Sequence, residues 1–390
     1  MSSNQSNMFH TNLILLKIFG IWPGNTPWKY YRYYSFIHLF VTYASYNFLL
    51  SMNLYYTPRK IEILLPEVIF TFTEITVTTK IMTILLMRHK LIEAMKLIDC
   101  DEFEGDIDDK NGILSKTRMG YSRGWKLYAI ISNMAFTSQV FIPFFLILIR
   151  GTKSELPICK YYFLSDDDRE AHFYFWYIYQ TVGMYGHMMY NVNIDSLIAG
   201  LFVIAIAQLK LLSKNFNELK VSETESEFRK EIQDEIQMTR LNQLLRHYEV
   251  ILHYCETVQS MLSTTLFFQF GVTSIIICVV MCGLLLPSKT ETQVFLVIYF
   301  FAMTLQIFVP GFLGTQLTYE SEGLMTAAYN SEWIPRSESF KKSLKLFRER
   351  TKIPIVISGL NMFSCSLDTF TAIMKSAYSF FTLIRNVQEQ

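Results

Sequence analysis

The last apolar run of the chain reads "TAIMKSAYSFFTLIRNV", residues 371–387. At 1.5 Å per residue it is long enough to cross most of a bilayer, yet it carries a lysine, two serines and two threonines. A helix wholly surrounded by lipid has no use for such groups, because polar atoms in hydrocarbon are costly. Asp368, Thr371, Lys375, Ser379, Thr382 and Asn386 recur every three or four residues and so form one stripe along a helix. That stripe is about 27 Å long, close to the thickness of the bilayer core. Phe370, Ile373, Met374, Ala377, Phe380, Phe381 and Ile384 occupy the other faces. A polar stripe on a membrane helix either hydrogen-bonds to neighbouring helices or lines water, and periodicity alone leaves both open.

The rest of the chain sets the same frame. It has 390 residues, 51% of them hydrophobic, with a formal net charge of +1, which removes any argument for a nucleic-acid partner. Several apolar stretches approach the ~20 residues that span a bilayer. The class is therefore an all-α, polytopic membrane protein whose first partner is lipid. The opening "MSSNQSNMFHTNLILLKIFGIWPGN" shows no basic leader or small-residue cleavage site, so no cleavable signal peptide is expected. Phosphate loops, paired carboxylates, metal clusters and nucleophile elbows are absent, which argues against an enzyme or a cofactor. Cys278 and Cys282 sit one helical turn apart with no His or carboxylate beside them, as small apolar side chains do.

Seven spans are expected, at residues 33–54, 66–87, 125–149, 173–212, 259–286, 294–317 and 367–387. The fourth is roughly 60 Å long as a helix, so one end must project into water. The fifth is preceded by an amphipathic helix in which Ile232, Ile236, Leu241, Leu244, Leu245, Tyr248, Ile251 and Leu252 recur among charges. With the N-terminus in the cytoplasm, 25 of the 35 Lys and Arg lie inside and 8 outside, and Lys80 and Lys375 fall within spans. The positive-inside rule thus places the N-terminus in the cytoplasm and the C-terminus outside. Only Cys159 then lies in an external segment, so no external disulfide is expected. Four regions follow: a cytoplasmic segment at 1–32 with a short amphipathic helix, six spans at 33–317, a cytoplasmic loop and helix at 318–363, and the last helix at 364–390.

That orientation is opposite to that of a G-protein-coupled receptor. "DRE" at Asp168–Glu170 stands before a span on the outside, and the last span has no NPxxY. The one sequon, Asn4-Gln5-Ser6, would be glycosylated only in the reverse topology. A transporter predicts internal repeats, and no convincing repeat is found. These two classes, and a gustatory-type chemoreceptor, are the alternatives.

Three groups of residues resemble the insect odorant receptor family, seven-helix ligand-gated cation channels. The first is "LLKIFGIWP", residues 15–23, and the second is "LLRHYEVILHY", residues 244–254, where His247, Ile251 and Leu252 resemble a His-x-x-Ile-Leu element with one extra residue in the spacing. The third and most specific runs "GTQLTYESEGLMTAAYNSEWIP", "RTKIPIVISGL" and "SLDTFTAIMKSAYSFFTLIRN". There Gly314, Ser321, Tyr329, Trp333, Pro354, Leu367, Phe370, Lys375, Tyr378 and Ser379 fall where the family pattern expects them. Within the family the chain looks like an odour-specific tuning subunit. The co-receptor has a longer insertion between spans four and five, and gustatory receptors end in a Thr-Tyr…Gln-Phe pattern that "AYSFFTLIRN" does not match.

The resemblance implies a heterotetramer with co-receptor subunits, in the cell membrane of olfactory neuron dendrites, passing cations along the last helices. It implies Leu383 as a hydrophobic gate and Asn386 as a polar ring one turn beyond, with Ser379 and Thr382 as weak oxygen ligands. Lys375 would repel cations from the pore, so its amine is expected to pair with protein or reach the vestibule. The family also implies a pocket for a small volatile organic ligand among the outer halves of spans two to six. Mapped here, that gives Phe72 and Thr73; Phe136, Gln139, Val140 and Pro143; Tyr179, Gly183, Met184 and His187; and Ile276, Phe295 and Tyr299. Gly183 and Gly186 would leave room beside Tyr179. His187 is either a pH sensor or a satisfied buried imidazole. Glu74 and Lys80, six residues apart, point to different faces and are not a pair. In "RSESFKKSLKLFRERTKIP", residues 336–354, Phe340, Leu344 and Phe347 share one helical face. With Trp333 they suit either a subunit-assembly helix in a cytoplasmic anchor region or a helix packed within its own subunit.

Overall fold

The computed structural model describes residues 5–22, 29–103, 112–150, 156–221, 229–286 and 290–388, apart from the side chains at 62, 142, 143, 146–148, 150, 290–292, 387 and 388. Asn4 and the Pro143 side chain lie outside the described residues.

A 3-10 turn at Gln5–Phe9 leads into α1 (His10–Ile18). The first span is one helical rod in three pieces: α2 (Tyr31–Leu39), a π turn at Phe40–Ala44, and α3 (Ser45–Tyr56). Then come α4 (Ile61–Leu86), α5 (Arg88–Ile98), α6 (Ile113–Arg150) and the short α7 (Asp166–Ala171), the last capped by Ser165, whose hydroxyl accepts from the Asp168 amide. Next are α8 (Phe173–Asn217), α9 (Lys230–Gly283), α10 (Thr290–Asn330) and α11 (Glu338–Thr351). A two-stranded antiparallel hairpin, β1 (Ser358–Gly359) and β2 (Phe363–Ser364), precedes α12 (Leu367–Gln388).

The seven expected spans are all helical, and four of these helices are long and apolar enough by length and composition to cross a membrane: α4, α8, α9 and α10. Of the other three, the first span is interrupted by its π turn and α12 carries the polar stripe, while the sequence of α6 holds an uncharged run at 127–149. Boundaries differ mainly on the loop side. The amphipathic segment before the fifth span is continuous with it, so α9 runs 54 residues, or about 81 Å. Likewise α10 continues past residue 317 to Asn330, because nothing in "LTYESEGLMTAAYN" breaks a helix. The hairpin, with Leu360 and Asn361 at positive φ, is a small β element in a fold expected to be all-α.

The centre of the molecule is α8. Mostly apolar from Leu197 to Leu212, it is buried by α4, α6, α9 and α10 and runs through the main core. A second, smaller core at the opposite end gathers Tyr46, Leu50, Phe136, Val140, Tyr161, Phe173 and Tyr177. The N-terminal segment docks on α8 by polar contacts. Asn12 Nδ2 donates to Asn193 Oδ1 at 2.9 Å, and Asn193 Nδ2 returns a bond to the Asn12 carbonyl at 2.9 Å. Gly200 makes room for the Phe9 and Tyr121 rings, which would meet a Cβ there.

The apolar face of α11 lies inside the chain. Phe347 stacks on Phe216 of α8 with centroids 4.7 Å apart and meets Tyr248 of α9 at 5.0 Å, while Phe340 and Leu344 are buried beside it. Trp333 is half-buried, its indole donating to the Tyr329 carbonyl at 3.1 Å. Of the two sequence readings of this helix, these three residues follow the packed one, and any contact with another subunit falls to other faces.

Near the same end, His247 of α9 is buried against the Phe103 ring and bonds the Gln208 carbonyl oxygen through Nε2 at 2.8 Å. Burial pushes its pKa down to about 4, so the folded protein holds it neutral. Below the ordinary value near 6.5 the unfolded chain takes up a proton that the folded one refuses. Stability is therefore lost as pH falls from about 6.5 towards about 4, by up to ~3 kcal/mol. Thermal unfolding of the purified protein between about pH 7.5 and about pH 5 should show this fall, and His247→Gln should flatten it.

Candidate functional site

The ionisable groups inside the spans organise the site. Glu74 and Lys80 of α4 do face different ways. Lys80, fully buried, places Nζ 2.5 Å from Asp195 Oδ1 and 2.6 Å from Asn191 Oδ1, both on α8. Gln306 of α10 donates to the same Asn191 oxygen at 3.1 Å and to Asp195 Oδ2 at 3.4 Å. The Tyr128 hydroxyl of α6 donates to Asp195 Oδ2 at 3.4 Å, and Gln269 of α9 reaches the Gln306 carbonyl at 2.8 Å. Five helices thus meet at one polar knot. A buried ion pair holds in such surroundings only with support from further hydrogen bonds, and here Asn191 accepts from Lys80 while Gln306 and Tyr128 donate to Asp195 Oδ2.

Glu74 faces the other way and pairs with His187 Nδ1. The second imidazole nitrogen, Nε2, lies 3.0 Å from the Thr42 carbonyl, which can only accept. Nε2 therefore carries the hydrogen of that bond. The Thr42 carbonyl is available because it lies in the π turn, where the usual i→i−4 pattern is broken. The Val41 carbonyl in the same turn accepts from the Tyr179 hydroxyl at 3.3 Å. Of the two sequence readings of His187, the geometry is that of a satisfied, buried imidazole, stacked on Tyr43 and tilted against Tyr46.

The ligand candidates separate into two groups. Thr73 and Tyr299 are hydrogen-bonded to each other, and Tyr299 joins Phe295 and Phe70 in an aromatic cluster with centroids 5.4 to 6.5 Å apart. Phe72 is half-buried and Ile276 fully buried in the main core nearby. The other group belongs to the second core. Phe136 and Val140 are buried there, Met184 and Tyr179 pack against it, and Gln139 donates to the Pro157 carbonyl at 2.9 Å. Thr73 and Glu74, adjacent on α4, connect the two groups by touching α10 and α8. The space beside Gly183 is taken by the Tyr46 ring, which stands where a Cβ would be, whereas open space remains at Gly186. The expectation of room beside Tyr179 therefore holds at Gly186 and not at Gly183.

In α12 the stripe keeps its exposure. Asp368, Thr371, Lys375, Ser379 and Asn386 are exposed and Thr382 is half-buried, while Phe370, Ile373, Met374 and Ala377 face the core. Thr371 and Thr382 bond only carbonyls of their own helix. Leu383 is 59% exposed. The start of the helix is fixed on α10, where the Leu367 amide donates to Thr315 Oγ1 at 2.9 Å and the Cys365 carbonyl presses against Gly314. The preceding hairpin is clamped to α9, with the Ser358 amide donating to Gln259 Oε1 at 2.8 Å.

Sequence reasoning missed Asp195, Asn191, Gln306, Tyr46 and Phe70. An aspartate within a span is a visible signal. Nothing in one sequence pairs it with a lysine 115 positions earlier.

Residues 60–378 match the family model described as 7tm Odorant receptor. The chain belongs to that family. Odorant receptor 59a of Drosophila melanogaster is 27% identical over 216 residues, covering 53% of this chain and 54% of the relative. Odorant receptor 2a of the same fly is 31% identical over 132 residues, 33% of each chain. The chain thus aligns with about half the length, or less, of these curated odorant receptors. The structure of the insect olfactory receptor OR5 from Machilis hrabei in complex with eugenol superposes with a TM-score of 0.80. It covers 99% of this chain and 100% of that one at 17% identity, which shows a shared fold. OR5 in a second structure gives the same score. The family is one of receptors, not enzymes, and the shared fold is helical.

The knot is the part of the site most exposed to mutation. Removing one partner of a buried ion pair strands the other charge, at a cost of about 3–5 kcal/mol. Lys80→Met or Asp195→Leu alone should sharply lower the yield of monodisperse receptor on fluorescence-detected size exclusion. The double variant should recover much of it.

Proposed function

We propose that this chain is the odour-specific subunit of a ligand-gated, non-selective cation channel. In this reading the N-terminus is cytoplasmic, the C-terminus is extracellular, and the last helices of this chain and of co-receptor subunits line the conducting path. The observation that carries the proposal is the exposed stripe of α12. A row of threonine, serine, asparagine and lysine that finds no partner helix among the described residues suits water better than lipid. One helix cannot enclose a pore, so the reading requires an oligomer, and a heterotetramer with the co-receptor is the assembly proposed.

The gate is Leu383. A ring of exposed leucines closes a narrow path to ions by dewetting, and a small widening readmits water. Asn386, one turn beyond, offers a neutral polar ring, and Ser379 and Thr382 contribute weak oxygen ligands, too neutral for sharp selectivity. The ligand is a small volatile organic molecule, as eugenol is the molecule bound by OR5. It seats between the group of Thr73, Phe295 and Tyr299 and the group of His187 and Tyr179, which Thr73 and Glu74 connect, with aromatic walls and few polar groups. Binding opens the gate by population shift: the ligand prefers the arrangement in which α12 has moved off the pore axis. The outer face of α11 and the helical ends near Asn330 form the anchor between subunits.

Co-expressed with a co-receptor in oocytes, Leu383→Ala should raise basal current or change ion permeability, and unchanged leak and permeability remove Leu383 as the gate. Cysteines introduced by Ser379→Cys and Asn386→Cys should react with water-borne thiol reagents, faster with agonist. Inertness in both states contradicts the pore assignment. Tyr299→Phe, which deletes the Thr73 bond, should shift the odorant dose–response about fivefold or more while leaving leak unchanged.

A further inference from the structure

At the end of the molecule opposite the odorant region, two cavities open side by side between the N-terminal segment, α6 and α8. One, about 90 Å³, is bounded mainly by apolar groups, with Met8, Leu114, Ile204 and Ala207 among them. The other, about 160 Å³, is bounded by Asn7, Thr11, Ser122, Trp125 and the bonded pair Asn12–Tyr121. Arg118 and Met8 border both. We propose that this double cavity binds one anionic glycerophospholipid, its phosphate on Arg118 in the polar half and the start of an acyl chain in the apolar half.

Four observations carry this. First, among the described residues Arg118 has no ion-pair or hydrogen-bond partner, and no acidic residue borders either cavity. An unpaired guanidinium with free hydroxyl and amide neighbours is a phosphate receptor in waiting. Second, the indole N–H of Trp125 is buried beside the polar cavity without a partner, a donor that an oxygen-rich headgroup would satisfy. Third, the depth is right. Along α6, Lys116, Arg118, Arg123 and Lys126 are followed immediately by exposed Leu127, Ile130, Ile131 and Met134, so the cavities lie at the level where headgroups meet hydrocarbon. Fourth, the floor is rigid. Asn12 is held by Asn193 and Tyr121, and Phe9 sits on Gly200, so the site is formed before any lipid arrives. A polar and an apolar chamber sharing one arginine match an amphiphile rather than a free anion. The orientation proposed above puts the site in the cytoplasmic leaflet, where anionic lipids concentrate.

The test titrates the purified full-length chain in detergent with dioctanoyl phosphatidylserine, followed by native mass spectrometry. Dioctanoyl phosphatidylcholine and chain-free glycerophosphoserine serve as comparisons. The expected result is saturable binding of the phosphatidylserine, weakened about fivefold to tenfold by Arg118→Gln and largely kept by Arg118→Lys. Ala207→Trp, which fills the apolar half, should weaken the lipid and spare any headgroup binding. Each variant is first shown to unfold at the wild-type temperature; because Arg118 is exposed, its replacement leaves the fold intact. Equal binding of phosphatidylcholine, equal binding of glycerophosphoserine, or insensitivity to Arg118→Gln overturns the proposal. The titration needs no channel current and no co-receptor, so its failure is distinct from a failure of the channel reading.

Discussion

The architecture turns on one lysine. Lys80 is fully buried among apolar helices, where an unpaired ammonium would not be tolerated, and its neutralisation by Asp195 fixes how α4 and α8 face each other. Asn191, Gln306, Tyr128 and Gln269 complete the shell, so three further helices take their register from the same point. Lipid offers helices no hydrophobic drive to associate, and packing and interhelical hydrogen bonds must supply specificity instead. A polar knot does this with few residues. Around it the apolar residues of α8 need only fill space.

From the knot outward, the helices diverge in chemistry. Six residues away on α4, Glu74 enters a different environment, shared with His187, Tyr43 and Tyr46. The π turn of the first span belongs to this region. By breaking the helical hydrogen-bond ladder it presents the Val41 and Thr42 carbonyls to Tyr179 and His187. The region joining the two cores is thus built of polar contacts between aromatic rings.

Much of this was legible in the sequence, and the limits have physical causes. Span number follows from apolar length, and six of the seven spans lie within a few residues of the expected positions on their membrane side. The stripe of α12 is a local period, and its exposure follows from it. Where a helix continues into water, hydropathy falls while helix propensity does not, so α6, α9 and α10 run further than hydropathy implies. The apolar face of α11 was equally visible, but a face does not say what covers it, and here Phe216 and Tyr248 of the same chain do. Contacts across long sequence distance were out of reach: Glu74 with His187, Lys80 with Asp195, and the Tyr46 ring beside Gly183. Each is set by tertiary register, which no local pattern encodes.

The attachment of α12 also dictates how it can move. Its first residues are bolted at Thr315 and Gly314 and backed by a hairpin tied to Gln259, whereas Thr371 and Thr382 further along bond carbonyls of the helix itself. A rod hinged at one end swings. Leu383 lies 16 residues from Leu367, about 24 Å along the axis, so a tilt of roughly 5° at the root carries it about 2 Å sideways. Leverage of this kind turns a sub-ångström adjustment between α9 and α10 into a displacement the width of a water molecule's radius or more at the tip, with no helix needing to unwind.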